Sequence, residues 1–152
     1  MKSPTQNQQG WALPALLLAS LVSTSCAEKP STWQDPSNHT VQFVTVEKDV
    51  QLEVLDWGGT GRPVVLLAGL GNTAHVYDDF AERLSETCHV YGITRRGYGA
   101  STHANSGYTV DRRVNDVLQV LDALKLVAPV LVGHSSGGPL LSKIADHLIS
   151  RC

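Results

Sequence analysis

With 152 residues and a formal net charge of -2, the chain has the size of one globular domain and an ordinary soluble composition. Lysine and arginine form no cluster, which excludes the electrostatic footprint of a nucleic-acid partner. No histidine or cysteine spacing resembles a zinc site, so no metal and no organic cofactor is implied.

The first apolar run, residues 11–22, is interrupted only by Pro14 and Ser20. A bilayer span takes about 20 apolar residues, so this run has the length of a signal-peptide core instead. Lys2 precedes it, and Ser23, Thr24, Ser25 and Ala27 offer small residues to a peptidase. Residues 1–27 are therefore read as a signal peptide or lipoprotein signal, and the chain as exported: periplasmic, membrane-anchored through a lipid on Cys26, or secreted. The neighbourhood of Cys26 resembles a lipobox, with Ser23 where leucine is usual, whereas cleavage after Ala27 would discard the cysteine. Residues 28–38, rich in proline, serine and polar side chains, read as a linker, leaving 39–152 as the domain. Cys88 and Cys152 read as one semi-buried and one free terminal thiol; in an oxidising compartment they could also pair.

Residues 40–46 alternate as a half-buried strand does, through Val41 and Phe43, with Val44 and Val46 as further apolar positions. After a turn at Glu47, Lys48 and Asp49, Val50, Leu52 and Val54 repeat with period two, predicting an antiparallel hairpin. Beyond the glycine-rich break at 58–61 the pattern changes. Val64 to Leu67 reads as a buried strand, 76–84 as a helix and 89–94 as a second buried strand. Val110, Val114, Val117, Leu118, Leu121 and Leu124 share a helical face, whose mixed-sign start at Asp111, Arg112 and Arg113 reads as solvated. Val130 to Val132 reads as a third strand buried on both faces. A last helix then carries Leu140, Leu141, Ile144, Leu148 and Ile149. Strand and helix alternating in this way predict parallel strands joined by right-handed crossovers.

Between that third strand and that last helix lies Gly133-His134-Ser135-Ser136-Gly137-Gly138. A serine at a sharp strand-to-helix turn is held in a strained conformation with its Oγ clear of the sheet. Such a turn brings the residues two before and two after the serine together, which Gly133 and Gly137 permit. Gly138 is expected to let the new helix lie close to the neighbouring backbone. The pattern proposes Ser135 as an acyl-transfer nucleophile; an ordinary strand-to-helix connection is the plain alternative.

With these residues in place, positions 41–138 resemble the α/β-hydrolase fold superfamily, in its serine-nucleophile branch. Three landmarks carry the resemblance in order. Ala68-Gly69-Leu70-Gly71 is similar to the oxyanion loop, Arg96-Gly97-Tyr98-Gly99-Ala100-Ser101 to the turn after the second parallel strand, and the run at Ser135 to the nucleophile elbow. The resemblance implies an α/β fold: a predominantly parallel sheet with an N-terminal antiparallel hairpin and helices on both faces. It also implies that the backbone N–H groups of Leu70 and Ser136 hold the oxyanion, and that the substrate is a small molecule with an ester, amide or related acyl bond. Ala68 replaces the usual histidine of the loop, and Thr94 stands where many relatives have aspartate.

His134, next to the nucleophile, is read as a packing or hydrogen-bonding residue. His75 and His103 fall in loops at the carboxyl ends of the strands, where ligands bind in such sheets, or are simply solvated. The family places its acid and then its histidine after the serine, and here only Asp146 and His147 follow. At ~1.5 Å per residue along the helix they lie roughly 16 Å from Ser135, far beyond hydrogen-bond reach. The chain is therefore expected to be an N-terminal fragment of an incomplete hydrolase fold, with the strand before Ser135 at a sheet edge and with little activity by itself. The alternative is a non-catalytic binding protein or partner subunit on a hydrolase scaffold.

Overall fold

Apolar residues that alternate along a strand bury two faces, and here each face meets its own helices. The computed structural model describes residues 35–150. The expectations for the segment 1–27, for Cys26, for Cys152 and for most of the linker fall outside those residues. Strands β1 (Thr40–Glu47) and β2 (Val50–Gly58) form the expected hairpin, with Asp49 in the left-handed region at φ 62. β3 (Pro63–Leu67), β4 (His89–Ile93) and β5 (Val130–Gly133) follow. Together they make a five-stranded sheet in the order β1-β2-β4-β3-β5. β2 runs antiparallel to both neighbours, while β3 pairs in parallel with β4 and β5, so β2 alone opposes the common direction.

Helix α1 (Asp78–Leu84), entered through a 3₁₀ turn at Ala74–Tyr77, covers one face of the sheet. There Ala74 and Ala81 pack with Leu55, Trp57, Val64, Leu66 and Val90. Helices α2 (Val110–Ala123) and α3 (Gly138–Ile149) cover the other, where Val117, Leu118, Leu121 and Ile144 meet Leu52, Val54, Val65, Leu67 and Ile93. Completely buried side chains such as Val65 and Leu66 each contribute about 1.5–3 kcal/mol relative to exposure. Thr109 caps α2 by accepting from the Arg112 amide at 3.2 Å, and Pro139 opens α3 where its missing N–H costs nothing. The architecture is the one expected: a mostly parallel sheet, an N-terminal hairpin and helices on both faces. Among the described residues no helix is long and apolar enough to cross a membrane.

Several local expectations change. In β1 the inner face belongs to Val44 and Val46, while Val41 and Phe43 are each 49% exposed on the opposite face, which α1 does not cover. β5 lies at the sheet edge as expected, with one neighbour, but it is only half-buried where its apolar run suggested burial on both faces. Ile149 lies past the packed stripe of α3 and is exposed, as is Val110 at the start of α2. Asp35 to Asn38, at the end of the expected linker, already touch the domain: Asn38 donates to Glu82 Oε1 at 2.9 Å. Cys88 is a half-buried free thiol.

The start of α2 is less solvated than its charges suggest. Arg96, 1% exposed, meets Asp116 in a two-pronged ion pair, Nε to Oδ2 at 2.7 Å and Nη2 to Oδ1 at 2.8 Å. Arg112 reaches the same carboxylate at 2.9 Å and the Val46 carbonyl at 2.7 Å. Glu47 completes the group at 3.1 Å from Arg96. The cluster ties the turn after β4 to α2 and to the end of β1, and the Asp116 carboxylate holds the Arg96 guanidinium above its ordinary value despite burial. Only Asp111 of the three helix-start charges is exposed, 2.7 Å from Lys143.

Replacing Arg96 by methionine should strand Asp116 in a dry site. A loss of about 3 kcal/mol in unfolding free energy is expected by chemical denaturation, the low end for a broken buried pair because Arg112 still bonds that carboxylate.

Candidate active site

Ser135 is a non-glycine residue at φ 53, in the left-handed region that L side chains rarely adopt. Packing accounts for this conformation. β5 ends at Gly133, His134 is still extended (φ -101, ψ 136), and a 3₁₀ turn at Ser135–Gly137 leads directly into α3. The chain reverses so tightly that a Cβ on Gly133 would lie 2.7 Å from the Gly137 carbonyl carbon. A Cβ on Gly137 would lie 2.7 Å from the Leu67 carbonyl oxygen, at the end of β3. The bend is pinned by His134 N–H donating to Leu67 O at 3.1 Å and by Gly137 N–H donating to His134 O at 2.9 Å. Ser135 stands exposed at the outside of this bend, and its hydroxyl has no hydrogen-bond partner among the described residues. Gly138 corrects an expectation: a Cβ there would meet nothing within 4 Å, and the close backbone approach belongs to Gly137.

The loop after β3 lies against the bend. Asn72 N–H donates to Gly69 O at 3.3 Å, closing a turn with Leu70 and Gly71 at its centre. Gly71 adopts φ 85, the conformation such a turn reserves for glycine. Gly69 is needed for a different reason: a Cβ there would fall 3.3 Å from the Ser135 Cβ and 3.0 Å from His134 Nδ1. His134 is thus a packing neighbour of the loop. Leu70 is 68% exposed, and the Ser136 amide opens the 3₁₀ turn, where N–H groups precede the acceptors of their own helix.

Arg95 joins the two parts and was not foreseen from the sequence. Its Nη2 donates to the Gly69 carbonyl and its Nη1 to Ser136 Oγ at 3.3 Å, while its guanidinium lies 4.4 Å from the Tyr98 ring centroid. Burial pulls the guanidinium below its ordinary value. The only signal was the doubling Arg95-Arg96, where the family turn accounts for Arg96 alone. Arg95, Arg113, Asn72 and Ser136 line a small cleft with Leu67 and Leu140. Ser135, Leu70, His75 and His103 do not line it. His103 instead faces the Gly99 carbonyl at 3.4 Å, and His75 belongs to a separate group of charged residues. Thr94, completely buried, accepts from Ala74 N–H at 3.0 Å and so positions the turn into α1. Asp146 and His147 sit in the last turns of α3, as the helical spacing required.

Residues 62–152 match the family model of the alpha/beta hydrolase fold. The chain belongs to the α/β-hydrolase fold family. It is 33% identical over 98 residues to a bifunctional esterase/perhydrolase of Acinetobacter calcoaceticus, covering 63% of this chain and 36% of that protein. It is 34% identical over 97 residues to a non-heme chloroperoxidase of Streptomyces lividans, covering 62% and 35%. Among solved structures, an esterase from Exiguobacterium antarcticum superposes with a TM-score of 0.65 at 30% identity, over 69% of this chain and 39% of that one. The chain spans about a third of the length of the curated relatives it matches.

Gly133→Ala places a methyl group against the Gly137 backbone, which has no soft side chain to yield. A destabilisation of about 1–3 kcal/mol is expected, while Gly138→Ala should be tolerated. Equal denaturation midpoints for the two variants would contradict the packing described.

Proposed function

We propose that Ser135 is the nucleophile of a hydrolase acting on ester, amide or related acyl bonds of small molecules. The observation that carries this reading is the exposed serine at φ 53, held by backbone contacts at Gly133 and Gly137. Strain of this kind persists only where the surroundings over-determine it, and it puts the hydroxyl where a carbonyl carbon can reach it. In the proposed reaction Ser135 Oγ bonds to the carbonyl carbon, the carbonyl electron pair moves to oxygen, and a general base takes the hydroxyl proton. That proton passes to the leaving group, and water then hydrolyses the acyl-serine. The Leu70 and Ser136 N–H groups hold the oxyanion, each worth about 2.7–4 kcal/mol in the transition state. Arg95 is a positioning residue, because it grips the carbonyl preceding the Leu70 amide and the side chain of Ser136.

The base and its acid have no counterpart beside Ser135 among the described residues, so turnover by this chain is expected to be slight. Labelling asks less than turnover. The folded chain should react covalently with a fluorophosphonate probe, and Ser135→Ala should abolish the label. A folded chain that takes no label, or one labelled equally without Ser135, would favour a binding protein on a hydrolase scaffold. Arg95→Met should slow labelling about 10²-fold, the cost of a misplacement near 1 Å, without unfolding the chain. The signal-like segment supports export, with Cys26 as the lipid attachment point; incorporation of a labelled fatty acid that is lost in Cys26→Ser is the expected result.

A further inference from the structure

Away from the nucleophile, two histidines distant in sequence meet on the α1 side of the sheet. His39 precedes β1, and His75 lies in the 3₁₀ turn before α1; their ring centroids are 5.0 Å apart. Both turn one nitrogen toward the same oxygen. His39 Nε2 is 3.7 Å and His75 Nδ1 3.4 Å from Asp35 Oδ2. The other Asp35 oxygen accepts from the Ser37 amide at 2.9 Å, which fixes the carboxylate.

The outward nitrogens are engaged by carboxylates as well. His39 Nδ1 faces Asp78 Oδ1 at 3.0 Å, and Trp57 Nε1 donates to that same oxygen at 3.0 Å. His75 Nε2 faces Glu53 Oε1 at 3.5 Å, and Asp78 Oδ2 stands 3.6 Å from His75 Nδ1. This is the arrangement in which a carboxylate behind each imidazole sets its tautomer and leaves the front nitrogen free to ligate. Glu53 supplies an independent sign. Its side chain is 6% exposed, its contact with His75 is too long for a good hydrogen bond, and its Oε2 is buried without a partner among the described residues. A buried carboxylate oxygen left without a partner is costly, and positive charge brought close to it would offset that cost.

We propose that Asp35, His39 and His75 form a binding site for a divalent transition-metal ion of the zinc type. His39 Nε2, His75 Nδ1 and Asp35 Oδ2 are the ligands in this assignment, and each of the three residues offers a ligand atom within 4.8 Å of the other two. Ligands at about 2.0–2.1 Å around a tetrahedral ion stand roughly 3.3 Å apart, so the 3.4 and 3.7 Å separations need only a small contraction. Two imidazoles and a carboxylate suit zinc or cobalt better than magnesium or calcium, which prefer oxygen alone. The ion would staple the segment before β1 to the turn between β3 and α1, and its charge would compensate Glu53 through His75.

Titration of the full chain with Zn²⁺, and with Co²⁺ as a spectroscopic substitute, tests this. One equivalent should bind, with visible d–d bands of a four- or five-coordinate ion and no sulfur charge-transfer band. His75→Ala should remove that equivalent, whereas His103→Ala and Cys88→Ser should keep it. Asp35→Asn changes an exposed residue and should leave circular dichroism unaltered while weakening binding at least tenfold. Asp78→Asn should weaken it about 10–100-fold by disturbing the support of His39. Absence of a bound equivalent, a thiolate band, or binding unchanged in Asp35→Asn and His75→Ala would overturn the site.

Discussion

Backbone against backbone at the end of β3 is the contact on which the proposed chemistry depends. Gly137 abuts the Leu67 carbonyl and Gly133 abuts Gly137, so no side chain fits at either position. With both flanks closed, the chain has one way to pass from β5 into α3, and Ser135 absorbs the turn at positive φ. Extending the bend would break the His134 to Leu67 hydrogen bond and separate the sheet from α3, so the strain is offset by packing elsewhere. The same carbonyl also accepts from Tyr77 Oη at 3.0 Å, which links the bend to the turn before α1.

Around this contact the polar groups act as fasteners between elements. Arg96 and Asp116 hold α2 to the turn after β4, and Arg95 holds the loop after β3 to the turn at Ser136. Ser101 accepts from the buried Glu53 amide at 2.9 Å and so secures the turn after β4 to β2. Each lies where a strand hands over to a loop, at the end of the sheet from which the loop after β3 and the bend both emerge. Neighbouring arginines therefore do different work: one binds helix to turn, the other binds the two halves of the site.

Sequence patterns were most legible where local geometry leaves little choice. Glycines two before and two after a serine, after a valine-rich run, marked the bend correctly because sterics permit few other uses of that spacing. Period two located the two hairpin strands and apolar runs the other three, but the pattern did not say which face of β1 is inner, since Val41 and Phe43 are as apolar as Val44 and Val46. The edge position of β5 was expected, but its apolar run alone does not show that the strand is only half-buried. Arg95 and the His39–His75 group were missed for a common reason: their partners lie in other elements, and no spacing along the chain records a tertiary meeting. Gly138 was credited with the contact that Gly137 makes, an error of one residue that only the path of the helix could reveal.

In the proposed function the Ser135 hydroxyl at the bend faces two backbone amides, and a crystal structure of the phosphonylated chain measures that arrangement. The expected result is phosphorus bonded to Ser135 Oγ, with its free oxygen about 2.7–3.1 Å from the Leu70 and Ser136 nitrogens. An adduct on another residue, or an oxygen turned into solvent with both amides left empty, would contradict it.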